Sequence, residues 1–429
     1  MNSSKILSKK SFAIYGLGST GISVVNYFKK NKFRNFRAWD DKKKIKNINC
    51  KKEIFIKSLE KSDFIVVSPG ININKSLLKK YLVKNSQKII TDLDLYYMMN
   101  SNTKSIVVTG TNGKSTTCKI IEHLLRKNKF DVKLGGNIGK PILELNIKKT
   151  TIVIIEASSF QLAYSKFIKP TYSIILNITK DHLDWHGNMK NYLNAKFKIF
   201  SLQDNKEHAF LKDKNIIKIF KRKNFSSKLK TVNINSYNSV KIKIKNSYLQ
   251  SQANLENMSF VYELSKSLKI NKSNFIKSCN SFKGLPHRHE IFYKKKNIIF
   301  INDSKATSFE ACKFALMNNK NIFWIVGGMP KLSDKFYLKK FKNSIIKSFI
   351  IGKNTNFFKS QLKNKIDYKV TKTIKKSLLT IFDILKNKHE KIITVLLCPA
   401  SASYDQYKNF EERGNEFKKL VKLYAGKYI

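Results

Sequence analysis

One short segment, Gly110 to Thr116 (GTNGKST), constrains this chain more than any other part of its sequence. It follows the apolar run Ile106 to Val108, which predicts a buried strand, and precedes Thr117 to Lys127, which has helical periodicity. A glycine-rich turn between a strand and a helix lets backbone N–H groups surround a phosphate at the positive end of the helix dipole. The segment therefore predicts an α/β domain with a phosphate-binding loop, shortened to two residues between its glycines.

Polar residues downstream complete the predicted phosphate site. Lys114 is expected to reach the outer phosphates, and the hydroxyl of Ser115 or Thr116 to hold Mg²⁺. Glu156 follows the apolar run Thr151 to Ile155, and His182 comes shortly after a second run, Ser173 to Leu176. Ligands bind at the carboxyl ends of strands in open α/β sheets, so we expect Glu156 to contact the metal and His182 the metal or a phosphate.

A second glycine-rich turn lies near the start of the chain. Phe12 to Tyr15 reads as a strand, and Gly16 to Gly21 matches the G-x-G-x-x-G pattern that opens a helix. Asp40 and Asp41 follow a second predicted strand. Taken alone, this pattern predicts an NAD site, but the phosphate-binding loop downstream argues against a hydride-transfer enzyme.

Composition limits the remaining classes. At 429 residues the chain accommodates two or three domains, and its apolar runs are too short for insertion into a membrane. Its net charge of +55 comes from lysines spread over nearly every polar position, which indicates a compositional bias and not nucleic acid as the primary partner. We read the N-terminal apolar stretch as a first strand and not a signal peptide. The five scattered cysteines predict a reducing cytoplasm.

Several longer motifs resemble one enzyme family. The turn at Gly110, together with Glu156 to Leu162 (EASSFQL), Asn177 to Gly187 (NITKDHLDWHG) and Asn194 to Lys196, is similar to the central domain of the Mur ligases. Those enzymes form amide bonds with ATP in peptidoglycan synthesis. The segments Gly284 to Glu290, Ile301 to Thr307 and Pro399 to Gly414 resemble the D-glutamate-adding branch of the family.

The resemblance implies an α/β protein of three domains and a defined reaction. The domains are an N-terminal Rossmann-like UDP-binding domain (1–90), a central P-loop ATPase-like domain (91–282) and a C-terminal Rossmann-like domain for the incoming amino acid (283–429). The implied reaction is ATP-dependent ligation of D-glutamate to UDP-N-acetylmuramoyl-L-alanine through an acyl phosphate. The implied setting is a cytoplasmic monomer with ATP and two Mg²⁺ ions.

The resemblance also implies a role for individual residues. The UDP-linked substrate is expected at Gly18, Ser19, Thr20, Asp40, Ser68, Pro69, Gly70 and Asn137. ATP is expected at Gly110, Thr111, Asn112, Gly113, Lys114, Ser115, Thr116, Asn254, Asn257, Arg288, Asp303 and Lys305. D-Glutamate is expected at Thr307, Lys331, Ser403 and Phe410. The metal residues are Ser115, Glu156, His182 and Lys196, and the catalytic residues are Lys114, His182 and Lys196, the last carbamylated as in the family. Ala253 stands where the family has His, before Asn254.

Two alternatives stay open at this level. The chain could be a Mur-type or folate-type ligase for a different amino acid, which the DSKAT and DQYKNF segments argue against. It could also be a nucleotide- or nucleic-acid-binding protein without enzymatic activity. That second alternative predicts the loss of Lys114, Glu156 or His182, and all three are present.

Overall fold

The computed structural model describes residues 6–250, 252–331, 334–336, 344–386 and 391–428. The chain divides into two compact units, Met1–Phe282 and Lys283–Ile429. In the described residues, no helix has both the length and the apolar character needed to cross a membrane.

The first unit begins with a parallel four-stranded sheet in the order β2-β1-β3-β4. Its strands are β1 Phe12–Tyr15, β2 Phe36–Trp39, β3 Phe64–Val67 and β4 Ile89–Ile90. The α-helices in this segment are α1 Ser19–Lys30, α2 Lys52–Lys61 and α3 Lys79–Lys84. The predicted strand at Phe12 is thus confirmed, and the first helix begins inside the glycine-rich turn.

A second sheet of six parallel strands follows, in the order β10-β9-β8-β5-β7-β6. Its strands are β5 Ser105–Thr109, β6 Val132–Gly136, β7 Ile152–Glu156, β8 Tyr172–Ile175, β9 His208–Leu211 and β10 Lys228–Thr231. The helices are α4 Asp92–Met99, α5 Lys114–Lys127, α6 Ser159–Tyr164, α7 Leu183–His186, α8 Met189–Phe197, α9 Lys214–Arg222, α10 Ile234–Lys241, α11 Ser247–Gln250, α12 Gln252–Ser267 and α13 Lys272–Asn280. The central strands β5 and β7 are buried along their whole length, as the apolar runs predicted.

One hydrophobic core joins the two sheets of the first unit. It contains Phe12 and Ile14 of the first sheet together with Val107 and Val153 of the second. Because these side chains share one core, the two sheets and the turns at their strand ends are held in a fixed relation within this unit.

From about residue 206 to 248 the sequence is rich in lysine and asparagine and poorly patterned, which predicts short strands and loops. This prediction is wrong in part, because the structure also contains the helices α9 and α10. In α9, Asp213 caps the first turn by accepting from the backbone N–H groups of Asn215 and Ile216, and Ile216 and Phe220 bury one face. The apolar residues Ile216, Ile217, Ile219 and Phe220 recur at helical spacing, so the sequence carries a signal for this helix that the prediction missed.

The second unit is a six-stranded sheet in the order β11-β12-β16-β13-β14-β15, parallel except for the β11–β12 hairpin. Its strands are β11 Glu290–Lys295, β12 Ile298–Asn302, β13 Ile322–Gly327, β14 Ile345–Ile351, β15 Tyr368–Lys372 and β16 Ile393–Leu397. Its helices are α14 Phe309–Met317, α15 Thr355–Leu362, α16 Ile374–Leu385 and α17 Phe410–Tyr428. Consecutive residues of β13, such as Trp324 and Ile325, point to opposite faces of the sheet and belong to separate cores. This confirms the predicted doubly wound α/β fold.

The predicted domain limits at 90/91 and 282/283 stay a prediction. Strand β4 ends at Ile90 and α4 begins at Asp92, so the first limit lies in the link between the two sheets of the first unit.

Candidate functional site

The turn between β5 and α5 has the backbone of a phosphate-binding loop. Gly113 has φ +84°, in the left-handed region that favours glycine, and directly precedes the first residue of α5. A Cβ at this position would lie 2.2 Å from Oδ1 of Asn257. The turn therefore requires glycine here, and Asn257, a predicted ATP residue, lies directly beside it.

Two lysines converge on one carbonyl of this turn. Nζ of Lys114 donates to the carbonyl oxygens of Gly110 and Thr111, both at 2.9 Å. Nζ of Lys196 donates to the same Gly110 oxygen at 2.8 Å. The structure thus brings together two of the predicted catalytic residues, on helices that begin 75 positions apart in the chain (Lys114 and Met189).

Lys196 lies in an environment that disfavours its charged form. Only 1% of the residue is exposed. Burial lowers the pKa of Lys196 to about 7, the nearby charge of Lys114 acts in the same direction, and Asp181 opposes them. The amine is therefore substantially neutral at neutral pH, unlike an ordinary surface lysine.

Glu156 supplies an unsatisfied carboxylate at the end of β7. The residue is buried, and its Oε1 accepts from Nδ2 of Asn137 at 2.9 Å. Within the part of the chain that the structure describes, its Oε2 has no hydrogen-bond partner. A buried carboxylate oxygen is costly without a donor or a cation, and carboxylate and hydroxyl oxygens are ligands that Mg²⁺ accepts. Glu156, with the buried hydroxyl of Ser115, therefore fits a magnesium ligand set.

A dedicated metal cluster of protein side chains is not part of this arrangement. In the described ranges, no group of three or more His, Cys, Asp or Glu side chains is placed to hold a metal ion. Mg²⁺ at a nucleotide site commonly takes one or two protein oxygens and completes its shell with phosphates and water.

His182 lies in a turn rather than on a regular element. Its φ is +52°, its side chain is 45% exposed, and its Nε2 is 3.3 Å from Oδ2 of Asp181. Its ring centroid lies 4.7 Å from that of Phe160. Burial lowers the pKa of the neighbouring His186 to about 4, with the charges of Lys196 and His182 acting in the same direction. The charges of His182 and Lys196 thus both lower the pKa of one common neighbour, His186.

The sequence prediction missed residues that hold the phosphate-binding turn. Oδ1 of Asn177 accepts from the N–H of Asn112 at 2.8 Å, and its Nδ2 donates to Oε2 of Glu256, also at 2.8 Å. The hydroxyl of Tyr192 lies 3.0 Å from that of Thr111, and its ring centroid is 4.6 Å from Nζ of Lys196. The sequence offered one signal for Asn177, because it follows β8 closely and begins the segment Asn177 to Gly187 that contains His182.

The predicted ATP residues Asn254 and Asn257 lie together on α12. Nδ2 of Asn257 donates to Oδ1 of Asn254 at 3.1 Å, and both residues are buried. This is the i, i+3 contact expected on one face of a helix, and it orients the Asn257 amide beside Gly113.

The first glycine turn is built by close backbone contact. A Cβ on Gly21 would lie 1.8 Å from the carbonyl oxygen of Gly16, so only glycine fits there. The hydroxyl of Ser68, a predicted substrate residue after β3, donates to the same Gly16 oxygen at 2.8 Å. A Cβ on Gly18 would meet no atom within 4 Å. The turn is therefore tightly packed on its inner side and open at Gly18, where Ser19 and Thr20 begin α1.

Asp40 shapes this turn with its carboxylate. Its oxygens accept from the backbone N–H groups of Leu17 at 2.6 Å, Lys42 at 2.9 Å and Lys43 at 2.8 Å. Burial raises the pKa of Asp40, but these backbone donors outweigh burial and the net pKa is lowered. Asp40 therefore stays ionised and ties the end of β2 to the glycine turn. Pro69 and Gly70 follow Ser68 in the neighbouring loop.

In the second unit, the predicted ATP residues surround the end of β12. Burial raises the pKa of Asp303 to about 6, although the His289 backbone and the Arg288 charge oppose the shift. The Cys398 thiol donates to Oδ2 of Asp303 at 3.7 Å. Nζ of Lys305 lies 4.5 Å from the ring centroid of Phe410. The structure thus places Lys305 against a predicted D-glutamate residue.

The predicted D-glutamate residues come from loops that Arg413 connects. Its guanidinium donates to Oγ of Ser304 at 3.0 Å, to the carbonyl of Ser304 at 2.8 Å and to that of Ser401 at 2.9 Å. The Ser304 hydroxyl in turn donates to the Phe410 carbonyl at 2.8 Å. The N–H of Met329 donates to the carbonyl of Ala402 at 2.8 Å.

These contacts join the loops that carry all four predicted residues. Thr307 is half-buried, Lys331 is exposed, and Ser403 is buried. Arg413 itself is 1% exposed and was named in the sequence only as part of a motif. The signal that could have identified it is a charged residue at a position that falls on the buried face of α17.

Comparisons with known proteins agree with this geometry. The family model described as Mur ligase middle domain matches residues 108–276, and the one described as Mur ligase MurD-like, N-terminal domain, matches residues 10–90. Proteins named UDP-N-acetylmuramoylalanine–D-glutamate ligase are similar over nearly the whole chain. The protein from Wolbachia sp. subsp. Brugia malayi is 34% identical, over 95% of this chain and 95% of its own. The protein from Buchnera aphidicola subsp. Schizaphis graminum is 35% identical, over 96% and 98%.

Solved structures share the fold at low sequence identity. UDP-N-acetylmuramate-alanine ligase MurC from Thermotoga maritima aligns with a TM-score of 0.56 and 14% identity, over 96% of this chain and 99% of its own. MurF ligase from Thermotoga maritima, solved in complex with ADP, aligns with a TM-score of 0.55 and 15% identity, over 97% and 99%. At this identity, the likeness supports the architecture.

Proposed function

The chain belongs to the Mur ligase family, and from this premise we propose that it joins D-glutamate to UDP-N-acetylmuramoyl-L-alanine with ATP, in peptidoglycan precursor synthesis. The carrying observation is the glycine turn at Gly110, where Lys114 and the buried Lys196 meet on one carbonyl. Such a turn, with a cation at its helix N-terminus, suits transfer of a terminal phosphoryl group.

The reaction has two displacements. A carboxylate oxygen of the substrate alanine attacks the γ-phosphorus, the bond to the β-phosphate oxygen breaks, and ADP leaves with an acyl phosphate formed. The neutral amine of D-glutamate then attacks the acyl carbon, loses a proton, and phosphate leaves with the C–O electron pair. Lys114 neutralises the charge on the transferring group, and the N–H groups of the Gly110 turn hold the phosphates in place.

We propose that Mg²⁺ is held by Ser115 and Glu156, with a second site at His182 and Lys196. The support for the first site is the buried Glu156 oxygen, which has no donor among the described residues. When bound, Mg²⁺ supplies positive charge that neutralises the phosphate oxygens. The Asn137 amide donates to the other carboxylate oxygen of Glu156, Oε1, and so holds this side chain in place.

Lys196 would serve a metal only after carbamylation. Its neutral amine attacks the carbon of CO₂, so that a C–N bond forms while one C–O π bond opens onto oxygen. The amine then loses one proton to water, which leaves a carbamate with one negative charge. Burial and the adjacent Lys114 support the first part of this step, because both favour the neutral amine before the reaction. After the reaction, the positive charge of Lys114 attracts the carbamate and offsets the cost of burying its negative charge.

For the substrates, we propose that the open N-terminus of α1 binds the diphosphate of the UDP-linked substrate through Gly18, Ser19 and Thr20. Ser68, Pro69 and Gly70 form the neighbouring wall, and Asp40 holds the turn in shape. We propose D-glutamate contacts at Thr307, Lys331, Ser403 and the backbone of Phe410, because a molecule with two carboxylates needs cations and hydroxyl or N–H donors.

For its setting, we propose a monomer that works in the cytoplasm, where ATP and UDP-linked precursors are found. Sedimentation of the purified protein at micromolar concentration tests the first part, and fractionation of the source cells tests the second.

The deciding experiment measures phosphate release from ATP in the presence of UDP-N-acetylmuramoyl-L-alanine. We expect release with D-glutamate and little with L-glutamate, L-alanine or diaminopimelate. A preference for one of the other amino acids would contradict the proposed specificity. Absence of turnover with every amino acid, together with ATP binding, would favour a binding protein instead.

A further inference from the structure

A short turn after the proposed UDP-substrate loop reaches across to the His182 segment. Asn72 accepts from the N–H of Asn74 at 2.9 Å and so caps the single 3₁₀ turn Ile73–Lys75. Its Nδ2 also donates to the carbonyl oxygen of Trp185 at 2.7 Å. Nζ of Lys75 donates to the carbonyl oxygen of Asp184 at 2.8 Å. Two side chains from the segment that follows β3 therefore bind two consecutive carbonyls close to His182.

These carbonyls belong to a helix that needs outside support. Helix α7, Leu183–His186, has four residues, too few for a stable helix by itself. The last carbonyls of a helix lack partners within it, and cations are favourable at that end. Asn72 and Lys75 supply the missing donors. They thereby fix a helix whose N-cap is His182, held at φ +52°.

Ring contacts carry the same connection to the His182 side chain. The N–H of Ile73 donates to the hydroxyl of Tyr164 at 3.0 Å. The ring centroid of Trp185 lies 5.6 Å from that of Tyr164 and 5.0 Å from that of Phe160. Phe160 in turn contacts the His182 ring at 4.7 Å. The backbone and the ring of His182 are therefore both connected to the turn at Asn72.

We infer that Asn72 and Lys75 are positioning residues that couple the UDP-substrate loop, Ser68 to Gly70, to the His182 turn. This inference rests on the proposed function. Substrate that orders the loop also orders the 3₁₀ turn that begins three residues after Gly70, and so the carbonyls of Asp184 and Trp185. By linkage, binding of the UDP-linked substrate and of the ion at His182 favour each other by the same factor.

The three tryptophans provide a direct test of this coupling. The full chain is labelled with 5-fluorotryptophan, and its ¹⁹F resonances are assigned with Trp39→Phe, Trp185→Phe and Trp324→Phe. Trp39 ends β2 directly before Asp40 and reports substrate at the first turn. UDP-N-acetylmuramoyl-L-alanine is added without ATP or metal. We expect both the Trp39 and the Trp185 resonances to shift with the same midpoint.

Variants separate coupling from binding. In Asn72→Ala/Lys75→Met, the Trp39 resonance should still shift while the Trp185 shift is lost. Lys75→Arg retains a donor at this position and should therefore keep the Trp185 shift. Lys80→Met, at an exposed lysine of α3, is the matched control and should behave as wild type. A Trp185 shift of wild-type size in the double variant overturns the inference, as does a wild-type protein in which only Trp39 responds. A protein in which neither resonance responds contradicts the proposed function itself.

Kinetics give a second, independent measure. At saturating UDP-linked substrate, the double variant should need roughly tenfold more Mg²⁺ for half-maximal turnover, within the range of ordinary coupling between sites. The KM for D-glutamate should be unchanged, since its predicted residues are in the other unit. An unchanged Mg²⁺ requirement, or a uniform loss with all three substrates, overturns a coupling role.

Discussion

The two glycine turns of the first unit have the same backbone plan and opposite side-chain chemistry. Each follows a buried parallel strand and opens a helix, α1 or α5. At the first turn, the Gly16 carbonyl accepts from the Ser68 hydroxyl and the Leu17 N–H donates to the Asp40 carboxylate. At the second, the Gly110 carbonyl accepts from two lysines. The side chains described at the first turn are neutral or anionic, whereas the second turn carries two lysines in addition to the neutral Asn177 and Tyr192.

In the proposed function, this difference separates holding a phosphate from transferring one. A diphosphate that only anchors a substrate needs backbone donors on a fixed turn, and the side chains of Ser68 and Asp40 fix the first turn. A phosphoryl group in transfer redistributes its charge, and only interactions that strengthen in the transition state increase the rate. The lysines at Gly110 are therefore expected to affect turnover, and the residues at Gly16 to affect substrate affinity. The predictions below test this division, in order of expected effect.

Replacing Lys114 should have the largest effect. We expect Lys114→Ala to lower turnover by about a hundredfold or more, because a charge partner of the transferring phosphoryl group is lost. Affinity for UDP-N-acetylmuramoyl-L-alanine, measured by calorimetry, should stay within about twofold of wild type. The control is Lys127→Ala, at the exposed end of the same helix. Near-normal turnover in Lys114→Ala would remove the phosphate-binding assignment of the turn.

Lys196→Ala should approach the same loss for a different reason. It removes the group that becomes anionic on carbamylation, so acetate or formate should restore part of the turnover by placing an oxygen anion in the vacated space. Neither acid should activate Lys114→Ala. An active Lys196→Ala protein, or a wild type indifferent to depletion of CO₂, would make Lys196 a structural lysine.

The reactivity of Lys196 should also depend on pH in a defined direction. Its pKa is lowered to about 7 by burial, with Lys114 contributing, so the neutral fraction grows about tenfold per pH unit well below 7 and levels off above it. About half of the amine is then neutral at pH 7 and about a tenth at pH 6, so CO₂-depleted protein at fixed dissolved CO₂ should regain activity about fivefold faster at pH 7 than at pH 6. A rate that keeps rising tenfold per unit up to pH 9 would indicate an ordinary exposed amine.

The sequence predicted the strands and turns well because their signals are local. Phe12 to Tyr15 is an uninterrupted apolar run, and its predicted bounds match β1. The turn at Gly110 likewise needs only seven consecutive residues, Gly110 to Thr116, to identify it.

What the sequence missed depends on distant partners. Asn177 lies 65 positions from Asn112, and Asn72 lies 113 positions from Trp185. Neither contact leaves a pattern in either segment alone, since an asparagine is equally common in an exposed loop. The burial of Lys196 was hidden for a related reason, because in a chain with 84 lysines and arginines one inward-facing lysine does not stand out.

Gly21 and Gly18 together test how the first turn is built. Gly21→Ala places a Cβ 1.8 Å from the Gly16 carbonyl oxygen, so the turn must move. We expect a loss of about 1–3 kcal/mol in stability, in the usual range for overpacking, and roughly tenfold weaker binding of the UDP-linked substrate. Gly18→Ala meets no neighbouring atom and should leave the melting temperature unchanged while weakening substrate binding. Equal melting temperatures for the two variants would contradict this account of the turn.

Ser68→Ala should have the smallest effect on the enzyme kinetics. It also gives the sharpest test of the difference between the turns at Gly16 and Gly110. Its hydroxyl donates to the Gly16 carbonyl at 2.8 Å, and this single neutral hydrogen bond contributes about 0.5–1.5 kcal/mol. If the first turn only holds its phosphates, the KM for the UDP-linked substrate should rise a few-fold with kcat unchanged. In both turns a glycine carbonyl accepts a hydrogen bond from a side chain. If Ser68→Ala lowered kcat, the first turn would also contribute to the transition state, as we expect of the turn at Gly110. Steady-state kinetics with ATP and D-glutamate saturating distinguish the two, because binding equal in ground and transition states changes KM alone.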